Sequence, residues 1–467
     1  MIHLFRFQDL NILLDVNSGS VHEVSDVVFD ILSYFEFEPA ADRETWEREK
    51  TACIAGAAGK YPPDEIYEAM DEIEELIEEE ILFSGGLSDA ETNPEKRGSV
   101  IKALCLHAAH DCNMRCAYCF AGTGEYSGPR SLLSLETGKK AIDFLIEQSG
   151  NRRNLEVDFF GGEPLLNWQV IQDVVAYGRK REQETGKQFR FTLTTNGLLL
   201  DEEKTAFLNE EMDNIILSID GRPEINDKMR KTPTGQGTYD RILQNMLRFA
   251  EARKETGKLF FVRGTYTKCN KDFSEDVLHL VKIGFHHVSV EPVVGDVEAP
   301  YSLTEEDLPE LFEEYDRLSE QFLSYQQQGK PFSFFHFNLD LKQGPCLYKR
   351  AVGCGAGTEY VAVSATGDIF PCHQFVGEPD FLLGNVSDAK FENRLYDKFN
   401  RAHIYNKKAC KTCWAKYYCS GGCHANALHM SGDIANPYSL GCKLEKKRLE
   451  CAIGIYAKSF SEQSWLP

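Results

Sequence analysis

Three cysteines fall close together in the run His110-Asp111-Cys112-Asn113-Met114-Arg115-Cys116-Ala117-Tyr118-Cys119-Phe120. Three residues separate the first pair and two the second. Thiolates this close on one loop can hold three corners of a metal cluster but not a fourth. A tetrahedral zinc site would need a fourth ligand, with His107 or His110 as candidates, and it favours spacings nearer two-residue pairs. A four-iron cubane accepts cysteine thiolates and leaves one iron open if only three are supplied. An open iron is where chemistry can occur. A second, denser group follows near the C-terminal end: Cys346, Cys354, Cys372, Cys410, Cys413, Cys419, Cys423, Cys442 and Cys451. From Cys410 to Cys423 the spacings are two, five and three residues. Spacings of two and five also occur in zinc ribbons, so zinc is the alternative there. Cys53, Cys105 and Cys269 stand alone and read as small buried hydrophobes.

The chain has 15 cysteines in 467 residues. No charged-then-apolar leader is read at its start, and no run approaches the roughly 18 apolar residues of a membrane helix. The expected compartment is a reducing cytoplasm, where many cysteines are metal ligands rather than disulfides. Acidic residues outnumber basic ones by 73 to 51, a net charge of −22, which argues against nucleic acid as a partner. Hydrophobic residues at 42% and charged residues at 27% exclude a disordered or fibrous chain.

The elements that must position the first triad follow it. Val100 to His107 reads as a buried strand. Leu155 to Phe160 is the next, ending in Gly161-Gly162-Glu163-Pro164, where glycines permit close backbone approach. Arg190 to Thr195 ends at Asn196-Gly197. Ile215 to Ile219 runs into Asp220-Gly221. Phe260 to Thr265 and His287 to Val290 complete the series, and Glu291-Pro292 closes it. Helical stretches separate them at 135–148, 168–185, 202–210, 239–256 and 273–283. About six alternations of strand and helix specify an α/β fold, a partial (β/α)6 TIM-like barrel. Ligands of such barrels bind at the C-terminal strand ends, where all these motifs fall.

The triad, with an aromatic before its last cysteine and Phe120 after it, resembles the radical S-adenosylmethionine (SAM) superfamily, and the downstream motifs match as well. The resemblance implies a [4Fe–4S] cluster on Cys112, Cys116 and Cys119, whose open iron binds SAM and cleaves it to a 5′-deoxyadenosyl radical. It implies cofactor contacts from Tyr118, Phe120, Gly161, Gly162, Glu163, Thr195, Asn196, Ser218, Asp220, Arg230 and Val290. Glu163 would meet the SAM amino group, Ser218 the ribose and Arg230 the carboxylate. Guanidinium suits a carboxylate because it offers two parallel bonds.

The C-terminal cysteines resemble the SPASM extension of radical SAM peptide maturases. That implies two auxiliary [4Fe–4S] clusters, one on Cys410, Cys413, Cys419 and Cys442 and the other on Cys354, Cys372 and Cys423. Cys346 either completes the second or leaves it open for a substrate thiol. Gly367 to Pro371 should form a hairpin turn delivering Cys372. Apolar packing looks too sparse here for an independent core, so clusters are expected to hold the region together. Cys451 should be buried in a terminal helix.

At the start, Leu4 to Phe7, Asn11 to Val16 and Ser20 to Val24 read as strands, then Ser25 caps a helix to about Tyr34. A second helix runs from Pro62 and Pro63 to about Glu80, its outer face crowded with carboxylates; a solvated face is the plain reading and a dock for a basic peptide the sharper one. Strands then helices suit a winged-helix module that binds a peptide by strand addition, with Leu14, Val16, Val21, Val24 and Val28 as candidate contacts. The expected organisation is a leader-peptide recognition module over 1–90, a radical SAM barrel over 91–310, a bridge over 311–345 and a SPASM domain over 346–467, with Gly85 to Gly98 as linker.

The whole chain resembles the maturases of SCIFF peptides, which form thioethers between a cysteine sulfur and an acceptor carbon. The implied partners are a cysteine-rich precursor peptide, bound through its leader, and a flavodoxin- or ferredoxin-type electron donor. The alternatives within the superfamily are a sulfatase-activating enzyme, which would carry Asp where this chain has His373, and a quinone-cofactor or other cross-linking maturase. A zinc-bound, non-enzymatic peptide adaptor is the alternative outside it.

Overall fold

The computed structural model describes residues 1–34, 43–85, 100–341, 346–388 and 391–463. Strands β1 (Ile2–Phe7), β2 (Leu10–Asp15) and β3 (Val21–Val24) form an antiparallel meander with β2 in the middle. Helices α1 (Asp26–Ser33), α2 (Arg43–Ala57) and α3 (Pro63–Glu78) follow. Ser25 caps α1 by accepting from the Val28 amide at 3.4 Å. The two faces of β2 serve different cores. Leu13 packs with Val28, Ile31, Ile66, Met70 and Ile73 of the helices. Ile12 and Leu14 belong to the main core of the molecule. The carboxylates of α3 lie mostly on its exposed face, as a solvated amphipathic helix requires. The expected linker lies outside the described residues except for Gly85.

The central sheet is built from β4 (Ala103–His110), β5 (Asn154–Gly161), β6 (Gln188–Thr195), β7 (Asn214–Ser218), β8 (Leu259–Tyr266) and β9 (His287–Pro292), all parallel to their neighbours and adjacent in chain order. Each connection after β4 carries helix, such as Leu135–Gln148 and Trp168–Thr185, which right-handed crossovers need. The first strand starts three residues later than its apolar run suggests and reaches His110, with a register break between His107 and Ala109. The sheet stays open, as a partial barrel should. At one end β10 (Ser333–Phe334) pairs with β9.

At the other end the sheet continues into the C-terminal region. β11 (Tyr360–Val363) lies parallel to β4, and β12 (Asp368–Phe370) and β13 (Gly384–Asn385) follow antiparallel. Gly367, at φ +91°, makes the expected hairpin that delivers Cys372. The expectation of a region without its own apolar packing is corrected here. Val361, Val363 and Ile369 extend the barrel core. Phe375, Phe381 and Phe399 form a second buried group, with the first two rings stacked 4.4 Å apart. The closing helix, Ser439–Gln463, buries Cys451 and lies against both the helix Leu308–Gln327 and the N-terminal sheet. Cys53 and Cys105 are buried as expected, whereas Cys269 is only half-buried, in the turn after β8. All 15 cysteines are free of disulfides. Among the described residues no helix is long and apolar enough to cross a membrane.

Candidate active site

The C-terminal ends of β5, β6, β7, β8 and β9 open into a cavity of about 690 Å³. Cys112, Cys116 and Cys119 line one part of it, and Cys354, Cys419, Cys423 and Cys442 line another. The loop carrying the first triad is fixed from both sides. Arg115–Cys116 pairs antiparallel with Arg230–Lys231, and the Ala117 amide donates to Met229 O at 2.8 Å. Gly161, at φ +124°, and Gly162 face this loop rather than empty space. A Cβ on either would come within 2.2 Å of a carbonyl, Ala109 O and Asp111 O respectively. The glycines therefore let the end of β5 pass directly against the backbone that bears Cys112.

Glu163 follows at once and is 1% exposed. Its carboxylate accepts from the Leu165 amide (3.1 Å), the Thr195 hydroxyl (2.8 Å) and the Asn196 amide (2.8 Å). Burial still pushes its pKa up to about 7. The Asn196 side chain donates to Asn113 Oδ1 at 2.7 Å, tying β6 to the cysteine loop. Tyr118 donates to Asp220 at 2.7 Å and accepts from Arg230 at 3.1 Å. Asp220 is fully buried and also accepts from the Thr265 amide; burial moves it up to about 6. Burial likewise raises Cys112 to about 12 and Cys116 to about 11, so as bare thiols they stay neutral until a metal takes the proton's place.

The donor set fits the cofactors that the cysteine pattern implies. Three thiols share one cavity wall. Beside them stand a buried carboxylate, Glu163, and a buried guanidinium, Arg230, whose Nε has no partner. A zwitterionic amino acid headgroup matches that pair of charges. The zinc alternative for the triad is not supported: His107 and His110 bond to each other at 3.1 Å, and neither lines the cavity. Among the described residues no three His, Cys, Asp or Glu side chains are gathered for a single ion.

Of the expected cofactor contacts, Tyr118, Phe120, Gly161, Gly162, Glu163, Thr195, Asn196, Ser218 and Arg230 line the cavity. Asp220, bonded to the Tyr118 hydroxyl, and Val290 are fully buried and are not part of the lining. Cys372 and Cys410, both buried, and the half-buried Cys413 are not part of the lining, and neither is Cys346, which is exposed. The expected peptide contacts are corrected: Leu14, Val16 and Val28 are 0%, 1% and 3% exposed core residues. Only Val21 and Val24, on β3, are part-exposed.

Sequence reasoning missed several lining residues, among them Arg263 and Arg448. The His336 ring contacts the Glu291 carboxylate at 3.1 Å, and Arg448 approaches it at 3.5 Å. Burial alone would raise Glu291, but His336, Arg263 and Arg448 outweigh it and hold the group well below the usual carboxylate range. Glu291-Pro292 was a visible signal at a strand end. Arg448 lies in the distant terminal helix, and its spacing from Glu445 suggests nothing beyond an ordinary surface pair.

Residues 108–265 match the radical SAM superfamily, and residues 354–414 match the iron–sulfur cluster-binding SPASM domain. The chain therefore joins a radical SAM domain to an iron–sulfur-binding domain, with one cavity between the two cysteine groups. Among similar proteins, the radical SAM cyclopropyl synthase TigE of Paramaledivibacter caminithermalis is 21% identical over 460 residues, covering 90% of this chain and 89% of that one. A cysteine-type anaerobic sulfatase-maturating enzyme of Clostridium perfringens is 26% identical over 384 residues, covering 78% and 95%. Streptococcus suis SuiB, solved with its precursor peptide SuiA, shares the fold at a TM-score of 0.53 and 15% identity, covering 94% and 98%.

Proposed function

We propose that this protein is a radical SAM enzyme that installs thioether cross-links, cysteine sulfur to acceptor carbon, in a cysteine-rich ribosomally made precursor peptide. The observation that carries the reading is the single cavity lined by both cysteine groups. A peptide threaded there lies between a radical-generating centre and a second set of thiolates. SuiB, solved with its precursor peptide SuiA, supports a peptide substrate.

When bound, SAM and three [4Fe–4S] clusters would supply the 5′-deoxyadenosyl radical and an acceptor for the electron left after sulfur–carbon coupling. The chain's own residues bind and orient. Glu163 holds the SAM amino group, and Arg230, steadied by Tyr118 and Asp220, holds the carboxylate. Cys410, Cys413, Cys419 and Cys442 hold one auxiliary cluster, and Cys354, Cys372 and Cys423 the other. Residues 1–90 recognise the leader, and an external flavodoxin- or ferredoxin-type protein delivers electrons. Cys346, exposed and off the cavity, is left out of the ligand set. A Cys346→Ala protein is expected to keep all its iron and its activity; loss of one cluster would show that it is a ligand.

The test is to incubate the reconstituted protein with SAM, reductant and a cysteine-rich peptide encoded beside its gene. Loss of two hydrogens per link, with release of 5′-deoxyadenosine, is expected. A second reading, sulfatase maturation, is favoured by the identity to the Clostridium perfringens enzyme. Modification of a sulfatase-derived peptide instead would decide for it.

A further inference from the structure

Lys407 is 1% exposed. Among the described residues no carboxylate pairs with it. A buried, unpaired ammonium is expensive, and proteins rarely keep one without a nearby negative charge. The local structure holds it firmly. The Lys407 amide donates to His403 O at 2.9 Å, and Lys407 O accepts from the Cys410 amide at 2.9 Å. Nζ donates to Gly421 O at 2.7 Å and lies 3.4 Å from His424 Nδ1. A Cβ on Gly421 would come within 3.3 Å of the lysine stem, so the glycine makes room for it. Gly421 lies between Cys419 and Cys423, and His424 directly follows Cys423. The ammonium is thus fixed where the two auxiliary ligand sets meet. Burial lowers the Lys407 pKa, and Cys410 and Cys419 of one set and Cys423 and Cys354 of the other oppose that when they are ionised, as metal ligands are.

We propose that Lys407 is the counter-charge shared by the two auxiliary clusters, and that it raises the reduction potential of both. This rests on the two-cluster reading given above. Reduction of a [4Fe–4S]²⁺ cluster adds one electron and makes or breaks no bond, so a fixed positive charge nearby favours the reduced form. Charge beside a cluster is one of the levers that set its potential. An easily reduced auxiliary pair is suited to taking an electron from the peptide after coupling.

The experiment uses the full-length reconstituted protein as wild type, Lys407→Met and Lys407→Arg. Iron content is measured first, then the midpoint potentials by redox titration followed by electron paramagnetic resonance. Lys407→Met is expected to keep about 12 irons, from three four-iron clusters. Its auxiliary clusters should become at least about tenfold harder to reduce, a shift of 59 mV to lower potential for one electron. The cluster on Cys112, Cys116 and Cys119 should be unmoved, and Lys407→Arg should restore the wild-type potentials. If Lys407→Met loses auxiliary iron while Lys407→Arg keeps it, the potentials are read on Lys407→Gln instead, where a shift to lower potential supports the proposal and an unchanged value overturns it. Full iron with unchanged potentials overturns it. So does equal loss of iron in both variants, which would make the lysine a matter of shape. A wild-type protein with about four irons would instead remove the two-cluster reading itself, and the proposal with it.

Discussion

At the scale of single residues, the site is a set of buried charges held by opposing effects. Glu163 is the clearest case. Its burial raises the carboxyl, three hydrogen-bond donors pull it back, and the group titrates at about 7. A raised acid is protonated below that value and ionised above it. Ionisation therefore costs folding stability between its ordinary 4.5 and about pH 7, and the full cost is present above that range. Binding of a cationic amino group runs the other way, because only the ionised form attracts it. SAM affinity of the iron-loaded protein should rise roughly tenfold between about pH 6 and pH 8. Glu163→Gln should bind weakly and without that slope. Calorimetric titration at both pH values checks this, and a flat wild-type profile would count against the assignment. Tyr118 makes a second case, since it bridges Asp220 and Arg230. Tyr118→Phe leaves the buried Asp220 short of a donor and should cost ~1–3 kcal/mol. Thermal unfolding should show the loss while iron content stays complete.

At the scale of elements, the decisive feature is contact between the end of β5 and the cysteine loop. Gly162→Ala would drive a methyl group onto Asp111 O, a backbone atom that cannot swing aside. The variant should lose SAM binding and about four of 12 irons, with the auxiliary clusters intact, as iron analysis and spectroscopy would report. Retention of all iron and of SAM affinity would show that the loop has more freedom than its packing suggests. The same contact shows what was readable in the sequence. Strands ending in Gly161-Gly162-Glu163 and Thr195-Asn196 announce themselves, because apolar runs stop at residues that only a strand end tolerates. Helix α2 does not, because its first half, Arg43 to Lys50, is nearly all polar and gives little apolar period to read. The strand Tyr360–Val363 is not read from the sequence, and its parallel partner β4 lies more than 250 residues earlier; local pattern carries no information about so distant a pairing. Three of the five expected peptide contacts, Leu14, Val16 and Val28, are core residues for a related reason. Alternation along β2 marks inward positions, yet this strand is covered on both sides, so Leu14 lies in the core rather than on a binding surface.

At the scale of the whole molecule, the two ends of the chain meet. The His3 ring stacks on Trp414 with centroids 3.8 Å apart and planes within 7°, and it contacts Glu450 at 3.0 Å. Trp414 directly follows Cys413, so β1 rests on the loop that carries Cys410 and Cys413. Further along, the Phe7 ring sits over Gly454 so closely that a Cβ there would come within 2.2 Å of it. The N-terminal sheet is thus seated on the loop after Cys413 by the His3–Trp414 stack, and on the helix Ser439–Gln463 by the ring-on-glycine contact, the His3–Glu450 contact and an ion pair between Lys458 and Asp9. Its other face has a separate core with α1 to α3. That separation makes the seating testable without unfolding the barrel. Gly454→Leu overpacks the contact with Phe7, at ~1–3 kcal/mol. Limited proteolysis should then cut sooner between the N-terminal residues and the barrel, while iron content and SAM affinity stay at wild-type values. If leader recognition over residues 1–90 must be aimed at the cavity, peptide modification should fall while SAM is still cleaved to 5′-deoxyadenosine. Equal loss of both reactions would mean that the wedge had reached the barrel, and unchanged peptide modification would mean that the seating of the module does not guide the substrate.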